Sequence, residues 1–194
     1  MRLEKRIYSV LVVSAAENFN SVIKELLPEA NFYPVAFCAS ITSAKRALAE
    51  REYDFVIINA PLPDDIGARF AIDTCKSTSS SVLILVKADS HAEIREKVYT
   101  HGVFTLPKPT SKPTITMAIG WMSSTRERMR GFEKKTLSIE EKMEEIRFVN
   151  RAKWLLISEL HMDEPEAHRY IEKQAMDRCV SKKIIAEEII KTYS

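Results

Sequence analysis

Residues 53–65 read Tyr-Asp-Phe-Val-Ile-Ile-Asn-Ala-Pro-Leu-Pro-Asp-Asp (YDFVIINAPLPDD). Within this stretch Phe55 to Ile58 is an unbroken apolar run, with a charge before it and a proline-rich turn after it. A strand that is apolar on both faces belongs in the middle of a sheet covered on both sides, the usual condition of a parallel sheet. The flanking sequence repeats the theme. Ile7 to Val13 is rich in β-branched residues, and Phe19, Val22, Ile23, Leu26 and Leu27 then recur at helical spacing up to Pro28. Phe32 to Phe37 predicts a second strand, and Ala44, Ala47 and Leu48 mark a second helix. Downstream, the pattern predicts a helix over 68–75, a strand over 82–86, a helix over 92–99 and a short strand over 103–106. Five buried strands separated by helices predict an α/β fold with a five-stranded parallel, doubly wound sheet. In such sheets ligands and switches sit beyond the carboxyl ends of the strands.

Composition narrows the function classes. The chain of 194 residues has four glycines, about 2% against a typical ~7%. All four (Gly67, Gly102, Gly120, Gly131) precede residue 132. That scarcity excludes a glycine-rich phosphate loop, a dinucleotide fingerprint and a turn-dense β-sandwich. Lys plus Arg total 29 and Asp plus Glu 27, so net charge points to neither nucleic acid nor membrane. No apolar window is long enough to span a bilayer. The start, MRLEKRIYSVLVV, is basic then apolar, but its apolar run of about seven residues lacks a small-residue cleavage site and reads as a strand. Cys38, Cys75 and Cys179 are odd in number and widely spaced, which predicts free thiols in a reducing cytoplasm.

From about Thr114 the rhythm changes. Met122, Met129, Thr136, Met143 and Asn150 recur every seventh residue, with Thr125, Phe132, Ile139, Ile146 and Lys153 at the second seam position. Charged residues surround this heptad, which predicts a long linker helix over 113–150 that dimerises the chain as a two-stranded coiled coil. A helix of ~40 residues is ~60 Å long, more than a small domain covers. The dimer contacts expected are Met122, Met129, Phe132, Ile139, Met143 and Ile146. Three helical blocks follow: 151–160, 164–179 and 181–192. Asp163 and Glu166 form a capping-box pattern around Pro165, and Ser181 is placed to cap the last block. The division expected is 1–112, 113–150 and 151–194.

The first part resembles the receiver domain of two-component response regulators. The resemblance is carried by the βα rhythm, by the segment Tyr53 to Asp65, and by Lys108-Pro109 after the fifth strand. It implies a phosphoryl-accepting Asp at the end of the third strand and an acidic pair after the first that holds Mg²⁺. Here those positions carry Asn59 and Ser14-Ala15. Val86-Lys87 stands where a Thr or Ser senses the phosphate, and Thr105 where a switch aromatic lies. Of the set only Lys108 remains, either as a remnant held beside Pro109 or as a hydrogen-bond partner of Asn59. An amide is a poor nucleophile, and a pocket without carboxylates holds Mg²⁺ badly. The reading is a pseudo-receiver without cofactor or metal. Asp64 and Asp65 are conceivable metal ligands, but at a helix start carboxylates cap and complement the dipole.

The last part resembles the ANTAR domain, the three-helix RNA-binding module of bacterial antitermination regulators, from about residue 140. The carriers are Arg151-Ala152-Lys153 with Leu155-Leu156, then Glu166-Ala167 with Tyr170, then Lys173 to Asp177, and Ile185-Ala186-Glu187. The resemblance implies that this module binds paired hairpins in leader RNA and prevents a terminator from forming, with a protein partner supplying the signal. From residue 151 onward the basic and acidic residues balance, so a basic surface has to be one face. Lys153, Arg169, Lys173, Arg178 and Lys182 are the candidates, Arg169 and Lys173 being one helical turn apart. Trp154 stands where the family commonly has a small residue, and either broadens a helix contact or offers a base-stacking surface. His91, His101, His161 and His168 form no metal set, and no nucleophile–base arrangement suggests an enzyme. Two rivals stay open: a phosphorylation-dependent regulator, and a protein-interaction adaptor that binds no RNA.

Overall fold

The computed structural model describes residues 6–193. Residues 1–5, the basic part of the leader-like start, and Ser194 lie outside the described residues. The elements run β1 (Tyr8–Val13), α1 (Glu17–Leu26), β2 (Phe32–Cys38), α2 (Ile41–Glu50), β3 (Phe55–Asn59), α3 (Ala68–Ser77), β4 (Ser81–Lys87), α4 (Ala88–Val98) and β5 (Phe104–Lys108). Three helices follow: α5 (Lys112–Leu160), α6 (Glu164–Asp177) and α7 (Lys182–Tyr193). The strands form one sheet in the order β2-β1-β3-β4-β5, and every neighbouring pair is parallel. This is the sheet the apolar runs predict.

The reason the runs are unbroken is visible in the packing. Val56 and Ile58 of β3 join Leu11, Val13, Val82 and Ile84 in a core closed by Ile41 and Ala44 of α2, Phe70 and Ala71 of α3, and Ile94 and Val98 of α4. Phe55 and Ile57 face the other way, against Val10, Val12, Leu83 and Leu85, under Ile23 of α1 and Ile115, Ala118, Ile119 and Met122 of α5. Alternate side chains of one strand therefore enter two cores, and every one of them must be apolar. Gly67 lets the chain enter α3. Its φ is +89°, and a Cβ there would sit 3.1 Å from Ile58 Cγ2, so the left-handed turn and the close approach to β3 both require glycine.

The chain divides into two compact units, with the boundary between Arg130 and Gly131. That boundary falls inside the linker helix expected over 113–150. The first turns of α5 belong to the N-terminal unit because they are the lid of its second core. This corrects the assignment of Met122 to a dimer seam: its side chain is fully buried against the sheet and has no surface to offer a second chain. Met129 is half-buried, whereas Phe132, Ile139, Met143 and Ile146 are each more than half exposed.

The C-terminal unit is built around Val149, Ala152 and Leu156 from α5, Ala167, Ile171 and Ala175 from α6, and Ile185, Ala186 and Ile189 from α7. The predicted capping box is present. Glu166 N–H donates to Asp163 Oδ1 at 2.7 Å, and Asp163 N–H donates to Glu166 Oε2 at 3.0 Å. Ile184 N–H donates to Ser181 Oγ at 3.4 Å, so that residue opens α7 as expected.

Candidate functional site

The first site is the strand-end pocket. Asn59 closes β3 and Ser14 follows β1, and both are buried because the flanking strands and turns cover them. Asn59 Nδ2 donates to Ser14 Oγ at 3.1 Å, and Ser14 Oγ also accepts the Ala16 N–H at 3.2 Å. Lys108, at the end of β5, donates from Nζ to Asn59 Oδ1 at 2.8 Å and to the Ala60 carbonyl. Of the two roles left open for Lys108, the hydrogen bond to Asn59 is the one present. Ala15 is exposed and Val86 is buried. Burial, followed by the nearby charge of Lys87, lowers the Lys108 pKa from its ordinary value. Thr105 Oγ1 lies 3.1 Å from His91 Nε2 rather than contributing an aromatic switch.

This arrangement does not suit Mg²⁺. Ser14, Ala15 and Asn59 supply no carboxylate, while the divalent ion wants anionic oxygen ligands beside the transferring phosphoryl group. The two acids that follow Asn59 in the next turn, Asp64 and Asp65, are engaged elsewhere. Asp64 accepts the Ile41 N–H at 3.1 Å and the Thr42 N–H at 3.0 Å. These two backbone N–H groups, Ile41 first, hold its carboxyl below the usual range. Asp64 is thus a cap, but of α2 and not of the helix that follows it in sequence. Asp65 Oδ1 accepts the Gly67 N–H at 2.7 Å within its own turn.

The opposite end of the strands carries a charged cluster. Asp54, directly before β3, is buried, and its Oδ1 accepts Arg126 Nε at 3.0 Å and Arg130 Nη2 at 2.6 Å. Its Oδ2 accepts the Ser9 N–H at 3.0 Å, and Ser9 Oγ accepts the Asp54 N–H at 3.0 Å. Burial by itself raises the Asp54 pKa, but the Ser9 N–H and the two arginines outweigh it and hold the carboxyl below its ordinary value. Glu127 completes the cluster, accepting Tyr8 Oη at 3.2 Å, Arg130 Nη1 at 3.0 Å and Arg6 at 2.7 Å. The last turns of α5 in the N-terminal unit are thus clamped to the amino ends of β1 and β3. Sequence reasoning missed this clamp. The only local hint is the one-turn spacing of Met122, Arg126 and Arg130, a helix face that passes from apolar to cationic.

In the helical unit the five candidate cations separate into two groups. Lys153 pairs with Glu164 at 2.7 Å, Arg178 reaches Glu188 with both Nη atoms at 2.5 and 2.7 Å, and Lys182 binds Glu172. In the free chain these three cations are engaged by carboxylates in surface ion pairs. Arg169 and Lys173 stand exposed on α6, with Tyr170 between them also exposed. Among the described residues neither cation forms an ion pair. Trp154 is 74% exposed, so it broadens no helix contact within the chain. His168 pairs with Glu172 at 3.3 Å, and among the described residues no cluster of three or more His, Cys, Asp or Glu is arranged to hold a metal.

Comparison with known families bears on these helices directly: the ANTAR domain matches residues 138–190, spanning the α5 end, α6 and α7 that build the helical core. Residues 138–190 are an ANTAR domain. Its match begins within α5, ahead of the position 151 expected for the module and close to the 140 at which the resemblance starts. Among known proteins the chain is similar to the transcriptional regulatory protein PdtaR of Mycobacterium tuberculosis, 26% identical over 171 residues, covering 88% of this chain and 83% of that protein. It is also similar to the aliphatic amidase regulator of Pseudomonas aeruginosa, 30% identical over 131 residues, covering 66% of this chain and 63% of that protein. In structure, the fold ahead of the ANTAR domain is that of receiver domains. The signal receiver domain of an HD domain-containing protein from Pseudomonas fluorescens Pf-5 superposes with a TM-score of 0.58 at 22% identity, covering 68% of this chain and 96% of that one. Among the described residues no helix is long and apolar enough to cross a membrane.

Proposed function

We propose that this chain is a transcription antitermination regulator whose ANTAR domain binds paired hairpins in leader RNA. The observation that carries this reading is the coincidence of the ANTAR match with a compact helical unit that leaves Arg169, Lys173 and Tyr170 exposed together on α6. Cations one turn apart with an aromatic between them suit phosphates and splayed loop bases. Two copies pair along α5 through Phe132, Ile139, Met143 and Ile146, and a paired molecule engages two hairpins at raised effective concentration. The receiver fold takes its signal from a protein partner and not from phosphate, because the strand-end pocket offers Asn59 and no carboxylate. The work is done in the cytoplasm, on nascent transcripts, without cofactor or metal and without catalysis.

The test is binding of the full chain to two-hairpin leader RNAs over a salt series. Binding that weakens with salt, and weakens further in Arg169→Ala/Lys173→Ala, is the expected result. A chain that binds none of these RNAs is an adaptor instead. The phosphorylation reading is tested by incubating the chain with acetyl phosphate and Mg²⁺ and measuring intact mass. No phosphoryl adduct is expected, and a stoichiometric one overturns the pseudo-receiver.

A further inference from the structure

We propose that Trp154, flanked by Arg147 and Arg151, is a stacking platform for an unpaired base of the RNA loop. This inference rests on the RNA-binding reading and adds a contact on α5 that the cations of α6 do not provide. Ala152 and Leu156, on either side of Trp154, are buried in the helical core, so Trp154 projects from the face of α5 turned away from that core. Residues 147, 151, 154 and 158 recur at three- and four-residue spacing and therefore share this face, and all four are exposed. An indole in water is a large apolar surface held ready at little conformational cost, and buried indoles contribute heavily wherever they are found.

The neighbours decide what covers it. On the face of Arg147 the acid one turn away is Glu144, whose Oε2 already accepts Lys183 Nζ at 2.7 Å, while Glu145, two residues before Arg147, lies on another side of the helix. No acid lies within one turn of Arg151. Among the described residues neither arginine forms an ion pair. The face is thus an aromatic ring beside two uncompensated guanidinium groups, with Asn150 and Ser158 at its margin. A second copy of the chain would bring Arg147 and Arg151 against their own equivalents. An apolar protein surface would leave both charges unpaired. A nucleotide satisfies every part: its base has a π face for the indole, and its phosphate is the anion the arginines lack.

The experiment uses the full chain with Trp121→Phe, so that Trp154 is the sole indole. The probe is a pool of RNAs with two fixed-stem hairpins and randomised loops, carried through selection to its tightest-binding member. That RNA should quench the indole fluorescence. Trp154→Ala should weaken binding by roughly 5- to 150-fold, the range for losing one base–aromatic stack, and Trp154→Phe should restore most of it. An abasic substitution at one loop position should cost the parent chain as much and cost Trp154→Ala nothing further. Because the side chain is exposed, the melting temperature should stay unchanged. RNA affinity equal to the parent's in Trp154→Ala overturns the proposal. So does a loss that follows only a weakened dimer in sedimentation, which assigns the face to a second copy. If the pool yields no binder to the parent chain, the RNA-binding reading itself fails, and this inference with it.

Discussion

Replacing Asp54 by Ala is the most informative single perturbation of the N-terminal unit. The substitution removes the carboxylate that receives Arg126 and Arg130 and leaves Arg126, only 8% exposed, among the side chains under α5. Breaking a buried pair from one side costs about 3–5 kcal/mol, because the remaining charge keeps its desolvation penalty. Arg130 adds less, since its side chain is 22% exposed and solvent screens it. For a unit of this size each kcal/mol moves the midpoint by about 3–5 °C, so Asp54→Ala should lower its melting temperature by roughly 10–25 °C. Hydrogen exchange should locate the loss in residues 119–130. Removing Arg126 as well, as in Asp54→Ala/Arg126→Met, should recover much of the loss, because the remaining cation, Arg130, is partly exposed and keeps Glu127. The pH dependence has a definite sign. The folded pKa of Asp54 is depressed, so its contribution is whole above about pH 4, the ordinary carboxylate value, and fades as pH falls through the lower folded value. The gap between parent and variant should hold constant from pH 5 to 8 and narrow in acid. A variant that melts within about 2 °C of the parent, with unchanged exchange over 119–130, refutes the clamp.

Further predictions follow from the other sites. Ile139→Glu and Ile146→Glu should each shift the sedimentation equilibrium towards monomer at micromolar concentration, whereas a parent chain that is already monomeric sinks the pairing along α5. Asn59→Asp should restore a carboxylate beside Lys108 and still give no adduct with acetyl phosphate and Mg²⁺, because Ser14 and Ala15 leave the metal without its acidic pair. Asp64→Ala should speed hydrogen exchange at the Ile41 and Thr42 amides while sparing the rest of the sheet. Arg169→Ala should weaken RNA binding across sequences and reduce the salt slope by about one, while Arg178→Ala should leave the slope unchanged because Glu188 already holds that cation.

The parts of the fold that were legible in the sequence are those whose cause is local. Phe55 to Ile58 reads as a central strand because burial on two faces forces an apolar side chain at every position. The same logic misread Met122. A helix face packed on its own sheet and a helix face packed on a second helix both ask for apolar residues every three or four positions. Periodicity records that a face is covered without recording what covers it. The clamp was hidden for a different reason. Asp54 and Arg126 lie 72 residues apart, and the register that joins them is set by where β3 and α5 begin. Lys182 and Glu172 show the same limit over ten residues, since the pair forms across the turn between α6 and α7. The end of β3 at Asn59 is legible because a strand end is a topological position, readable from the run that precedes it.

The two ends of β3 carry opposite electrostatic designs. At the carboxyl end a lysine is held by neutral acceptors, the Asn59 amide and the Ala60 carbonyl. Ser14, Ala15 and Asn59 supply no carboxylate beside Lys108, and under the proposed function this end therefore receives no phosphoryl group. At the amino end a buried carboxylate is committed to two arginines of α5 and to the backbone of β1. In the N-terminal unit α5 runs from the first end to the second, packed along the sheet by Ile115, Ala118, Ile119 and Met122. On that reading, a signal that reaches α5 through this unit acts by moving packed surfaces against the resistance of the Asp54 clamp. A partner that alters α5 should change exchange at residues 122–130, and Asp54→Ala should lower the partner concentration needed to do so. A partner whose effect is the same with and without the clamp acts elsewhere on the chain.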